Sequence, residues 1–154
     1  GHILSAPYFQ SLDSPTNRKF VSDFLDSRHG ASGVTHFNME ETYLSFLYFK
    51  KALEHLIAAE GEDAISPWKI REYSRDLVIP DDESPEGEVR LDPDNLNSWL
   101  RPRIGRFNSK GQIDLQFDRG EKIPPEPFLL YPQRGKCRFD GLHPPSGNVV
   151  QAAS

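Results

Sequence analysis

The chain has 154 residues, with 18 Lys+Arg against 23 Asp+Glu and a formal charge of −5 at pH 7. That length suits one domain of ordinary size, and the acidic balance argues against a dedicated nucleic-acid binder, which carries a basic excess. A hydrophobic content of 36% with 13 prolines is low for a compact domain and predicts long extended connections, or a core completed by a partner.

The opening run GHILSAPYF has neither the basic start nor the long apolar stretch of a signal peptide. His2 to Ala6 reads as a buried strand stopped by Pro7, and a chain that opens on such a strand is expected to be a fragment. In DSPTNRKFVSDFLDSRHG, Ser14 is a good N-cap, Pro15 takes the first helical position and Gly30 ends the helix, predicting a helix near 14–29. Phe20, Val21, Phe24 and Leu25 form its apolar stripe. GVTHF is brief and β-prone. NMEETYLSFLYFKKALEHLIAAEG then predicts a helix near 39–60, with Asn38 as N-cap and Glu41 three residues on, a variant of the capping box. Tyr43, Phe46, Leu47, Phe49, Ala52, Leu53, Leu56 and Ile57 cover more than one side of it, so it should be mostly buried.

A second Ser-Pro start predicts a helix from Ser66 to about Leu77. VIPDDESPEGEV reads as an exposed, proline-broken connection. EVRLD, RPRIGRF and QIDLQFD alternate apolar and polar residues as half-buried antiparallel strands do. NSKG joins the last two as a hairpin turn in which Gly111 is free to take positive φ. Beyond Gly120 only FLLY reads as a further strand, and residues 133–154 read as a flexible tail. Nowhere does the chain approach the ~18–20 apolar residues of a membrane span, so no membrane insertion is expected.

The chemistry-bearing residue types form no catalytic pattern. Arg101, Arg103, Arg106 and Lys110 crowd the hairpin, but Asp114, Asp118 and Glu121 follow at once. The arginines therefore read as the solvated face of a two-layer sheet, and no nucleic-acid surface is expected. His2, His29, His36, His55 and His143 show no metal-ligand spacing. There is no G-x-S-x-G elbow and no Gly-rich phosphate loop. Cys137 is the sole cysteine, which excludes an intramolecular disulfide and a cysteine metal cluster. The expectation is a non-enzymatic protein without metal or cofactor.

Three stretches in sequence order carry a resemblance. APYFQSLDSPTNRKFV resembles the strand exit and helix after a lobe crossing in amide- and urea-binding proteins, in the branched-chain amino acid transporter class of periplasmic binding proteins. THFNMEETYLSFLYFKKAL resembles the ME-x-x-Y helix start of that family, through Met39, Glu40 and Tyr43. SPEGEVRLDPDNLNSWLRPRIGRFNSKGQIDL resembles its terminal segment, through Gly87, Val89, Asn95, Ile104, Gly111 and Gln112.

The resemblance covers residues 1–132. It implies an α/β chain that is a partial type I periplasmic-binding-protein fold: three helices, strands and a C-terminal antiparallel hairpin near 101–117. Residues 1–6 and about 86–132 would belong to one lobe, about 10–77 to the other, with a last crossing near 78–90. The implied function is a solute-binding protein that closes two lobes on a small amide, urea or amino acid and feeds an ABC permease, in the periplasm or another extracytoplasmic space. The same resemblance takes in an amide-sensing regulatory protein, cytoplasmic and read by a partner protein. Tyr8 at the crossing and Phe37 and Glu40 at the start of the second helix are the residues it offers as ligand contacts. Each has a plainer reading: hinge packing for Tyr8, core for Phe37, helix-start charge for Glu40.

Overall fold

The computed structural model describes residues 1–28 and 33–126. The FLLY strand, the tail at 133–154, Gly30 and Cys137 lie outside the described residues. Helix α1 (Pro15–Ser27) begins as its sequence dictates: Ser14 Oγ accepts the Asn17 N–H at 3.0 Å, and Pro15 opens the first turn. Helix α3 (Pro67–Tyr73) repeats this, with Ser66 Oγ accepting the Lys69 N–H at 3.3 Å. It stops four residues short of Leu77. Asp76 takes a left-handed φ of 59°, which no helix tolerates, and the reversal turns Leu77 into the core.

Helix α2 (Phe37–Glu60) is longer than expected at its start. His36, not Asn38, is the N-cap, and no side chain caps the turn, so the Asn38–Glu41 capping box does not form. Thr35 and His36 approach α2 without strand pairing, so GVTHF is no strand among the described residues. The buried line of α2 is a strict fourfold repeat, Glu40, Leu44, Tyr48, Ala52 and Leu56. Tyr43, Phe46 and Phe49 are exposed, Phe46 by 69%, which corrects the expectation that this helix is mostly buried. The reason is supply: the side chains around α2 cover one face.

That face meets a small antiparallel sheet of order β2–β3–β4, made of β2 (Val78–Ile79), β3 (Val89–Leu91) and β4 (Ser98–Trp99). Leu44, Tyr48, Leu77, Ile79, Val89 and Leu91 form the core between helix and sheet. Burying a side chain such as Ile79 contributes about 1.5–3 kcal/mol. The stretch read as an exposed connection is thus partly interior: besides Ile79, it buries Ser84, Pro85 and Glu86.

The second sheet has the order β1–β5–β6, all antiparallel, from β1 (Ile3–Ala6), β5 (Arg103–Phe107) and β6 (Ile113–Asp118). Ala6 pairs with Arg103 and Ile3 with Arg106. The hairpin closes as its sequence predicts. Asn108 Oδ1 accepts the N–H groups of Lys110 and Gln112, and Gly111 takes φ 74°. A Cβ on Gly105 would collide with Ile113 Cγ2, which is why β5 has no side chain there.

Apolar side chains are left uncovered on both layers. Ile3, Ile104 and Phe117 are 65%, 38% and 53% exposed, and paired register puts them on one face of β1–β5–β6. Phe46 and Phe49 on α2 add a second apolar surface, and exposed apolar surface of this kind favours association. The isolated 154-residue chain should therefore self-associate and bind a hydrophobic dye. A clean monomer in sedimentation that leaves the dye dark would refute this.

Candidate functional site

The described residues hold two adjoining features at the junction of the helices and sheet β1–β5–β6. The first is a mostly apolar cavity of about 180 Å³ between the segment leaving β1, the approach to α2, and the hairpin. Tyr8, Phe9, Thr35, Phe37, Phe107 and Ile113 are among its lining residues. Two of the three sequence-derived site residues, Tyr8 and Phe37, thus share one cavity.

Tyr8 is 1% exposed, and its hydroxyl is already engaged. It donates to Asn17 Oδ1 at 2.9 Å and lies 2.7 Å from Thr35 Oγ1. Asn17 Nδ2 in turn donates to the carbonyls of Gln10 (2.9 Å) and Leu12 (2.7 Å), and Gln10 Oε1 accepts the Thr35 N–H at 2.6 Å. Phe20 stacks edge-on against the Tyr8 ring at 6.0 Å. Burial pushes the Tyr8 hydroxyl up to about 12, against the Thr35 hydrogen bond and with the help of the Glu40 charge. It is a neutral phenol held by its neighbours, whose ring is left to face the cavity.

The second feature is a buried ionic knot, and Glu40 belongs to it rather than to the cavity. Glu40, Glu86 and Arg103 are 0%, 5% and 3% exposed. This overturns the reading of Arg103 as part of a solvated face. In β5 the inward positions are Arg103 and Gly105, while Ile104 points out.

Arg103 uses its whole guanidinium fork. Nη2 donates to the Glu86 carbonyl at 2.8 Å, Nε to Asp118 Oδ2 at 3.0 Å, and Nη1 to the carbonyl of Pro7. The Glu86 carboxyl lies 3.8 Å from Nη1. One side chain thereby ties the segment after β1, the segment before β3 and the end of β6.

The carboxyls around it are less well served. Neither oxygen of Glu40 has a hydrogen-bond partner of normal geometry, although the Glu86 backbone amide lies toward it, and Glu86 Oε2 also lacks one. Burial pushes Glu40 up to about 9, reinforced by the charges of Glu86 and Glu41 and opposed by Arg103. Burial likewise pushes Glu86 up to about 7, with Arg103 and Lys122 pulling it down and Glu41 pushing it up.

Sequence reasoning missed Asn17, Thr35, Glu86 and Arg103. A signal existed for one of them. Asn17 sits on the apolar stripe of α1, three and seven residues before Phe20 and Phe24. A polar residue on an apolar line points to a buried partner.

The architecture is that of part of a type I periplasmic-binding-protein fold. It superposes on a solute-binding protein of an ABC transporter from Rhodopseudomonas palustris HaA2, solved with p-hydroxybenzoic acid, with TM-score 0.59 and 21% identity, covering 87% of this chain and 34% of that one. A second solute-binding protein from R. palustris, solved with 4-hydroxybenzoate, gives TM-score 0.58 and 21% identity, covering 84% of this chain and 32% of that one. The chain belongs to the periplasmic binding protein domain family, whose model matches residues 1–134. A curated relative, named limonene hydroxylase, from Geobacillus stearothermophilus is 31% identical over 129 residues, 84% of this chain. The chain spans 22% of that relative's length and about a third of the two solved structures.

Proposed function

We propose that the chain is the C-terminal portion of a two-lobed, non-enzymatic solute-binding protein that holds a small polar solute and delivers it to an ABC permease from an extracytoplasmic space. Residues 1–6 and about 86–132 would belong to one lobe and about 10–77 to the other. The solute class is an amide, urea or amino acid, and closure of the lobes on it shifts an open–closed equilibrium that the permease reads.

The observation that carries this reading is the cavity itself. It lies where the segment leaving β1 passes to the helices, and it is bounded by Tyr8 and Phe37. Family membership supports it, as do solved neighbours that are solute-binding proteins of ABC transporters. In this reading Tyr8 and Phe37 form apolar walls, and the buried Glu40 carboxyl at the start of α2 stands behind Tyr8.

A ligand such as urea has four heavy atoms. At a ceiling of ~1.5 kcal/mol per atom it gains at most ~6 kcal/mol, a dissociation constant in the tens of micromolar. Enclosure must therefore be nearly complete.

Calorimetry on the full-length protein, with acetamide, urea, an amino acid and 4-hydroxybenzoate, tests the assignment. Phe37→Ala should weaken binding about tenfold or more by removing a wall, whereas Lys50→Ala, at an exposed position of α2, should bind as the wild type does. Equal affinity in the two variants would take Phe37 out of the site. Absence of heat with all four ligands would remove the solute-binding assignment.

A further inference from the structure

The ionic knot has an imbalance that its geometry makes explicit. Among the described residues Arg103 is the cation that pairs with Glu86, and it faces three carboxyls: Glu86 at 3.8 Å, Asp118 at 3.0 Å, and Glu40 across the junction. Asp118 is served separately by Arg101 and by the Gly120 N–H at 2.8 Å. Three buried oxygens, both of Glu40 and Oε2 of Glu86, have no hydrogen-bond partner of normal geometry. Two such charges cannot both persist there beside one guanidinium that is already sharing its donors. A buried carboxyl without a donor becomes tolerable by taking a proton.

We propose that Glu40 and Glu86 form a proton-binding site that governs the Arg103 knot. With one proton on the pair, the remaining charge is matched by Arg103, and the knot holds Pro7, Glu86 and Asp118 together. When the proton leaves, a second buried carboxylate has no partner, and the junction relieves it by admitting water between the first turn of α2 and the 84–87 segment. This goes beyond the solute-binding assignment and does not depend on the identity of any solute.

The groups that face the pair come from every element around it. Glu41 on α2 adds negative charge to both carboxyls. Arg103 on β5 opposes both, and Lys122, which ion-pairs with Glu88, opposes Glu86. Tyr8 and Tyr48 lie within range of Glu40 and are themselves pushed up by burial, so they stay neutral.

The sign of the effect follows from linkage. Both carboxyls bind their proton more tightly in the folded protein than in the unfolded chain. The stabilisation this provides is fully present below the ordinary carboxyl range and is lost as pH rises toward about 7 for Glu86 and about 9 for Glu40.

The test is melting of the full-length protein across pH 5–9 together with carboxyl-carbon NMR of glutamate-labelled protein. Wild type should lose melting temperature as pH rises through this window. Glu40→Gln, a neutral isostere, should match wild type near pH 5, melt higher at pH 9, and remove a carboxyl resonance that titrates above pH 6.5. Glu41→Gln, on the exposed side of the same turn, should keep most of the wild-type slope and that resonance. An unchanged pH slope in Glu40→Gln would overturn the proposal. If that variant fails to fold, the wild-type titration decides: an expected carboxyl midpoint above pH 6.5 that moves in Glu86→Gln supports the site, and its absence overturns it.

Discussion

Arg103→Ala is expected to destabilise the folded protein by about 3–5 kcal/mol, the cost of leaving a buried charge cluster without its counter-ion. The side chain is 4% exposed, so solvent cannot take over its role. Its removal frees the carbonyls of Pro7 and Glu86 and takes one donor from Asp118. Arg101 provides the internal comparison, because it also pairs with Asp118 but is 39% exposed. Arg101→Ala should cost less than about 1 kcal/mol, since a partly exposed pair is screened by water. Arg103→Lys should recover little, because an ammonium cannot reproduce a fork that reaches three acceptors. Urea unfolding midpoints at pH 7 measure all three. Similar losses for Arg101→Ala and Arg103→Ala would mean that the buried knot contributes no more than a surface pair.

Asn17→Ala comes next, with an expected loss of about 3 kcal/mol at roughly 1 kcal/mol for each of three hydrogen bonds. Asn17 is 1% exposed, and its amide bridges the Gln10 and Leu12 carbonyls to the Tyr8 hydroxyl. Tyr8→Phe should cost only about 1 kcal/mol, because Asn17 keeps its two carbonyl partners. In the double variant the Tyr8–Asn17 bond is counted once, so the combined loss should fall short of the sum by about 1 kcal/mol. Asn17→Asp separates donor from acceptor: it retains an oxygen for Tyr8 but sets a carboxylate against two carbonyls, and it should recover nothing. An Asn17→Ala midpoint within experimental error of wild type would show that the network does not hold the cavity wall in place.

These two residues show how site and fold differed in legibility. Local signals were sufficient at the two Ser-Pro starts and the hairpin turn, though not at the start of α2, where His36 takes the place expected of Asn38. The Ser-Pro starts of α1 and α3 place their own caps, because an N-cap serine satisfies an amide three residues away whatever surrounds it. The Asn108–Gly111 turn closes the hairpin for the same reason, through Asn108 Oδ1 and one positive φ. The ordered resemblance of three stretches pointed to the periplasmic-binding-protein family to which the chain belongs.

Packing decided the rest. Apolar residues on α2 exceed one face, and composition cannot say which face meets β2 and β3; the structure selects the line from Glu40 to Leu56 and leaves Phe46 outside. The parity of β5 is equally silent, since Arg103 and Ile104 are neighbours and either reads as inward. Only the approach of Pro7 and Glu86, 96 and 17 residues away along the chain, gives Arg103 enough acceptors to be buried. A charge goes inside a protein when distant segments bring it partners. Local patterns placed the cores of the three helices and the hairpin, and ordered resemblance placed the family, whereas the meeting of Glu40, Glu86 and Arg103 depends on contacts between distant segments that no local pattern encodes.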